Sequence, residues 1–278
     1  MNVDLFIKQA LAEDIGDGDH TSLACITANT FKKAALIIKD DGTIAGIELA
    51  LDIFKTVDSN LVVHTFVKDG DTVKYGDIGL TVEGNAQSIL TAERLVLNCM
   101  QRMSGIATTT KVYTDALKGL HTRVLDTRKT TPGIRMLEKW AVKIGGGTNH
   151  RIGLYDMILI KDNHVDYAGG IANAIDAAKN YLKVKNKDLK IEIETRNFTE
   201  IEQVLAKGGI DRIMLDNFSP ADLKKAVDMI GGSYETEASG GITINTIRSY
   251  AESGVDFISV GALTHSVKSM DISLKAVI

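Results

Sequence analysis

Residues 190–216 read KIEIETRNFTEIEQVLAKGGIDRIMLD, and the fold turns on how this stretch is parsed. IEIET at 191–195 alternates with a period of two, which is the period of a strand. The segment 198–207 fits a helix, and RIMLD at 212–216 fits a second strand. Strand, helix and strand joined by short loops make the unit of a parallel sheet. The unit repeats outward in both directions. Strands are expected at RVLDT from 123, MILIK from 157, YETEA from 234 and FISVG from 257, with helices at 133–143, 170–183, 219–230 and 243–253. Polar strand ends and glycine-rich turns after the last two strands favour a barrel, which carries its site at the C-terminal strand ends.

Upstream of residue 105 the pattern is different. Ala34–Lys39 and Leu61–Val67 read as strands, Ile47–Val57 as a helix, and Ser88–Met103 as another. Between them, VKDGDTVKYGDIGLTVEG has Asp-Gly and Tyr-Gly-Asp turns separating short β segments. The expected plan is α/β: an α+β domain with a small sheet up to residue 105, followed by a parallel sheet wound as a barrel.

Composition narrows the function. The 278 residues carry a net charge of −4, so no global basic field recruits nucleic acid or an anionic membrane. Two cysteines, Cys25 and Cys99, form neither a CxxC pair nor a zinc spacing, and read as reduced thiols of a cytoplasmic protein. No apolar run approaches a membrane span. The first residues lack a secretory n-region and read as an amphipathic helix with Val3, Phe6, Ile7, Ala10 and Leu11 on one face.

The strand ends carry the chemistry. In chain order they present Asp126–Lys129, Lys161–His164, Glu192 with Glu194, Asp216 with Asn217, Glu237 with Ser239–Gly241, and Gly261 with Thr264 and His265. Charged or glycine-rich ends on every strand exceed what helix caps and surface ion pairs explain. Glu192 and Glu194 lie two apart and share a face, so both are expected to point inward. A buried carboxylate needs a cation. With Asp216 nearby, the candidates are a lysine or Mg²⁺, which commonly takes one or two carboxylates plus substrate phosphates. The six histidines never pair at metal-ligand spacing. SGG at 239–241 and GAL at 261–263 offer backbone N–H groups to a phosphate. Arg128, Lys129, His150, Arg151 and Lys161 concentrate positive charge at the same ends, as a small polyanion requires. A lone helical arginine such as Arg94 reads, by itself, as solvated.

Several segments resemble quinolinate phosphoribosyltransferase: EDIGDGDHTS at 13–22, TAERLVLNCMQRMSGIAT at 91–108, DTRKTTPGIR at 126–135, GGGTNHRIGLYDMILIKDNH at 145–164, EASGG at 237–241 and GVDFISVGALTHS at 254–266. The resemblance implies an N-terminal α+β sandwich domain over 1–105 to which the C-terminal tail, 267–278, returns, an open α/β barrel over 106–266, and the activity of a pentosyltransferase of NAD biosynthesis. Such an enzyme joins quinolinate to phosphoribosyl pyrophosphate with Mg²⁺ and releases pyrophosphate and CO₂ to leave nicotinate mononucleotide. It also implies a homodimer or higher homo-oligomer with shared sites. By motif match, Arg128, His150 and Arg151 hold the quinolinate carboxylates, with Arg94 arriving from a neighbouring subunit. Lys129 and Lys161 meet the phosphates, and Thr130 joins them in the substrate site. Glu194 and Asp216 face the ribose hydroxyls and the metal, while Ser239, Gly240, Gly241, Gly261 and His265 seat the 5′-phosphate. Three rivals share the pattern: a paralogue acting on another acceptor, a Schiff-base lyase using Lys161, and a non-catalytic phosphate-binding module.

Overall fold

A computed structural model describes residues 2–277. Along the chain the elements run α1 (Val3–Ile15), α2 (His20–Cys25), β1 (Phe31–Ile38), β2 (Gly42–Thr43), α3 (Ile47–Val57), β3 (Val62–Thr65), β4 (Thr72–Val73), β5 (Ile78–Asn85) and α4 (Ala86–Ala116). Then come β6 (Arg123–Leu125), α5 (Arg135–Ile144), β7 (Ile158–Ile160), α6 (Asp162–Ala168), α7 (Ile171–Lys185), β8 (Ile191–Thr195), α8 (Phe198–Lys207) and β9 (Arg212–Asp216). The chain ends with α9 (Pro220–Ile230), β10 (Glu235–Ser239), α10 (Ile247–Ala251), β11 (Phe257–Ser259), α11 (Ala262–His265) and β12 (Ile272–Ala276). Two compact units emerge. The first holds the chain up to Lys111, Met136–Gly146, and everything from Ser266 on. The second holds Val112–Arg135 and Gly147–His265.

The first unit is built on an antiparallel sheet of order β12-β1-β5-β3, with a small β2-β4 ribbon beside it. The tail strand β12 pairs along β1 from Ala34–Ala276 to Ile38–Ile272. Local chemistry starts its helices: Asn2 caps α1 by accepting the Asp4 N–H, and Asp19 caps α2 by accepting that of Ser22. On α3, Leu49, Ala50, Ile53 and Phe54 are fully buried, and each of the larger ones contributes about 2 kcal/mol through apolar burial. Ala92, Val96, Met100, Met103 and Ile106 form the buried stripe of α4.

That helix runs 13 residues beyond the Met103 end read from the sequence, since it stops at Ala116. Ser104 and Gly105 look like a break, yet both sit inside the helix for packing reasons. The buried Ser104 hydroxyl accepts the Ala45 N–H at 2.9 Å and donates to the Ala45 carbonyl at 3.1 Å. A Cβ at Gly105 would collide with the Lys268 backbone carbonyl. The glycine is there for close approach, and the helix accepts its modest propensity cost.

The second unit is a six-stranded parallel sheet of order β6-β11-β10-β9-β8-β7. Strands β7 to β11 follow one another in space as in sequence, and β6 returns beside β11. That is a barrel winding, left open because β6 and β7 do not pair. The turn after α5 lies along the free edge of β6 through a bridge between Leu125 and Thr148. All five residues of β8 are buried. Its isoleucines serve the helix-facing layer, where Ile201 and Val204 of α8 are fully buried. Its glutamates point the other way, into the barrel. Asn197 caps α8 and Ser219 caps α9, the latter with Pro220 in its first turn.

Candidate functional site

The carboxyl ends of the parallel strands bring the charged residues into four groups. The first joins β7 to β8. Lys161 follows β7 and caps α6, where the His164 ring accepts its backbone N–H at 2.9 Å. Its ammonium lies 3.1 Å from Glu194 Oε2. The lysine side chain is 48% exposed and the glutamate 10%, so the pair sits at the barrel mouth with its cation outermost.

The second group joins β9 to β10. Ser239 donates to Asp216 Oδ1 at 2.6 Å, and the Asn217 amide donates to Oδ2 at 2.6 Å. Asn217 has φ +59°, a left-handed conformation uncommon outside glycine and asparagine. Gly240, at φ +101°, has no room for a Cβ because the Asn217 side chain occupies that space. Gly240 thus marks a close approach of backbone to Asn217 beside Asp216, whereas Gly241, at φ +60°, faces open space.

The third group joins β6 to β11. The Thr264 hydroxyl donates to the Lys129 carbonyl at 2.8 Å. A Cβ on Gly261 would stand 3.0 Å from Lys129 Cδ and 3.1 Å from His265 Cδ2. Lys129 and His265 thus lean over a bare backbone, a cradle suited to an anion. Next to it the Thr130 hydroxyl accepts from Arg135 Nε at 2.8 Å.

The fourth group is arginine-rich above and buried below. Arg128 is exposed and Arg151 half-buried. Burial first, and then the neighbouring Arg128 charge, lower the Arg151 pKa, as two guanidiniums facing one site must. Arg151 Nη1 donates to the Met157 carbonyl at 3.3 Å. Beneath them, His150 Nε2 lies 3.0 Å from Glu192 Oε2 and 3.4 Å from Glu237 Oε2, as ion-pair contacts without hydrogen-bond alignment. Arg212 Nη1 meets Glu237 at 3.0 Å while its guanidinium stacks on Phe257 at 4.0 Å.

The protonation of this lower group follows from its packing. Burial alone pulls the His150 imidazole down, but the two glutamates outweigh it and raise its pKa to about 9. Burial and the Glu237 charge push Glu192 up to about 7. Burial also works against an ionised Glu237, yet His150 and Arg212 hold it below the usual carboxylate range. His150 Nδ1 accepts the Arg151 N–H at 2.7 Å, which places a ring proton on Nε2, the nitrogen that faces Glu192 and Glu237.

Two expectations change here. His150 was assigned to a substrate carboxylate; both its ring nitrogens are instead engaged inside the barrel, and its side chain is only 6% exposed. Glu192, Glu194 and Asp216 were expected to share one cation; Glu194 takes Lys161 and Glu192 takes His150. Arg94 stands exposed on α4 in the first unit.

Comparison with known proteins decides the family. Residues 19–104 match the N-terminal domain of quinolinate phosphoribosyl transferase and residues 106–275 match its C-terminal domain. The chain belongs to the quinolinate phosphoribosyltransferase family. It is 51% identical to the chloroplastic nicotinate-nucleotide pyrophosphorylase (carboxylating) of Arabidopsis thaliana, over 97% of this chain and 81% of that one. With the probable nicotinate-nucleotide pyrophosphorylase (carboxylating) of Bacillus subtilis it shares 41% identity over 94% of this chain and 89% of the relative. The crystal structure of NadC from Streptococcus pyogenes superposes with a TM-score of 0.93 at 37% identity, covering 99% of this chain and 97% of the other.

For this phosphoribosyltransferase the sequence left three site residues without a role. Asp126, fully buried at the end of β6, accepts the His150 N–H at 2.9 Å and the Asn149 amide at 2.5 Å. Arg212 and Glu237 complete the lower group. Spacing along the chain hides such a cluster because its members come from four separate strands or turns. The donor atoms of His150, Glu192 and Glu237 all lie within 4.8 Å of one another, an arrangement able to hold a metal. Arg212 already meets Glu237 there at 3.0 Å.

Proposed function

We propose that this chain transfers the 5-phosphoribosyl group of phosphoribosyl pyrophosphate to quinolinate with loss of CO₂, giving nicotinate mononucleotide and pyrophosphate for NAD biosynthesis. The observation that carries the reading is the arginine pair Arg128 and Arg151 in a barrel that also presents Glu194, Asp216 and two glycine-lined anion cradles. Two guanidiniums match two adjacent carboxylates. Arg128 and Arg151 orient the acceptor so that its ring nitrogen faces C1 of the ribose. The C1–oxygen bond breaks, pyrophosphate leaves with the electron pair, and the nitrogen bonds to C1. Glu194 and Asp216 stabilise the positive charge that builds on the sugar. The carbon–carboxylate bond then breaks, CO₂ departs, and the ring carbon keeps the electron pair until it takes a proton. The quaternary ring nitrogen stabilises that carbanion. Ser239, Gly240, Gly241, Gly261 and His265 seat the 5′-phosphate, and Lys129, Thr130 and Lys161 attend the pyrophosphate.

Mg²⁺ belongs to the same reading, and the donor chemistry suits it: Glu194 and Asp216 are hard oxygen donors already hydrogen-bonded to Lys161, Ser239 and Asn217. That favours a metal held chiefly by the substrate, with the two carboxylates beside it. When bound it would neutralise charge on the leaving pyrophosphate. A Schiff-base role for Lys161 is disfavoured because its ammonium is ion-paired with Glu194. The two free thiols, Cys25 and Cys99, support placement in a reducing compartment such as the cytoplasm.

The deciding assay measures nicotinate mononucleotide formed from quinolinate, with nicotinate as the control acceptor. Product from quinolinate alone supports the reading; product only from nicotinate overturns it. Arg94 is assigned to the site of a second subunit in a homodimer. Complementation tests this. Inactive Arg94→Ala and Lys161→Ala chains, refolded together, recover roughly a quarter of wild-type activity if each site draws on both chains. Heterodimers that stay inactive would return Arg94 to its own subunit.

A further inference from the structure

We propose that Asp126 and His150 are positioning residues for the acceptor: they lock the backbone of the Asn149–Arg151 turn and so aim the Arg151 guanidinium. The inference rests on the functional reading above, in which Arg151 grips quinolinate.

Arg151 lies in neither a helix nor a strand. An arginine on irregular backbone would ordinarily sweep a wide arc, at a cost in entropy whenever it binds. Here two successive backbone N–H groups are turned inward onto acceptors from the barrel. The His150 N–H meets Asp126 Oδ1 at 2.9 Å, and the Arg151 N–H meets His150 Nδ1 at 2.7 Å. The other Asp126 oxygen takes the Asn149 amide at 2.5 Å. Asp126 is fully buried, where a carboxylate persists only if donors surround it.

The imidazole is held in turn from its far side. Glu192 and Glu237 stand 3.0 and 3.4 Å from Nε2, and Arg212 fixes Glu237 at 3.0 Å. The turn is thus tied to β6 through Asp126, to β8 through Glu192 and to β10 through Glu237. The Met157 carbonyl, just ahead of β7, receives Arg151 Nη1. A side chain that must meet a rigid dianion is supported by groups whose own rotamers are fixed by packing.

The roles separate by substitution. Asp126→Asn keeps the shape but turns one acceptor into a donor, facing either the His150 N–H or the Asn149 amide. His150→Gln can offer a donor to Glu192 and Glu237 but no acceptor near Nδ1. His150→Asn offers an acceptor close to the Nδ1 position and gives up the far contact. The experiment is steady-state kinetics on the full chain with Mg²⁺, varying quinolinate and phosphoribosyl pyrophosphate in turn, beside thermal unfolding.

Asp126→Asn and His150→Gln are expected to raise the KM for quinolinate about tenfold or more, on the scale that misplacing a binding group costs. The KM for phosphoribosyl pyrophosphate should stay within about twofold, since the hydrogen bonds lost hold the Asn149–Arg151 turn and not the residues that line its cradles. His150→Asn should fall between wild type and His150→Gln. If Asp126→Asn fails to fold, the two His150 variants decide the matter. Equal rises in both KM values, or a lower Tm with an unchanged quinolinate KM, would overturn the proposal while leaving the activity intact. A wild-type chain inactive on quinolinate overturns the functional reading, and this inference with it.

Discussion

Glu192 and Glu194 sit on one face of one strand, and their surroundings could hardly differ more. Glu194 looks out at the barrel mouth and meets a lysine that is itself half in water. Glu192 is sealed beneath, against a buried imidazole and near a second buried glutamate. Two residues of rise separate a group that can meet a substrate from one that can only shape its neighbours. Depth along the barrel axis, rather than residue type, sorts the carboxylate at the mouth from the one sealed in the interior. The lower group is closed inside the barrel by its own ion pairs, whereas the upper pair stands at the mouth with its lysine half exposed.

Breaking the lower group should cost most in stability. Glu237→Ala leaves Arg212 without its deep partner and is expected to destabilise the fold by about 3–5 kcal/mol, read as a lower midpoint in urea. The matching change above, Glu194→Gln, should leave that midpoint nearly unchanged. A loss of stability from Glu194→Gln as large as that from Glu237→Ala would erase the contrast.

Turnover should show the reverse order. Under the mechanism proposed above, Glu194→Gln and Asp216→Asn each remove negative charge from beside a cationic transition state. A fall in kcat of about 10²–10³ is expected, the range seen for loss of one preorganised electrostatic group, with smaller changes in KM. Wild-type kcat in either variant would remove that residue from the chemistry.

The smallest effect concerns pH. The His150 pKa is raised in the fold, to about 9 from 6.5. Its contribution to stability is therefore complete below pH 6.5 and is lost as pH climbs through 9. The loss should be no more than about 3 kcal/mol. Urea midpoints taken from pH 6 to pH 9.5 should decline for wild type, and the decline should flatten in His150→Gln. An identical slope in both proteins would assign the dependence to other groups.

Much of this was legible in the sequence. The period-two runs and the residues ending them point to β6–β11 and to Lys161, Glu194, Asp216 and Gly261, because a strand end is a local property. The inward turn of His150 was not legible, since it depends on Asp126, Glu192 and Glu237 arriving from three strands at once. The motif GGGTNHR invites a ligand-facing reading of every polar residue in it, and only packing separates the histidine from the arginine. Nor was the length of α4 legible. Ser104 and Gly105 resemble a helix end until the Ala45 backbone and the Lys268 carbonyl are seen beside them.

The open winding of the barrel has one more consequence, for behaviour at high concentration. A sheet that does not close presents unpaired backbone along both outer strands, and such edges recruit foreign strands into aggregates. Here β6 and β7 are three residues each, against five for β8, β9 and β10. Thr148 already occupies part of the β6 edge. So short a ledge gives an intruding segment very few hydrogen bonds to gain. The chain can leave its barrel unsealed at the place where Arg151 is anchored without offering a template for misassembly.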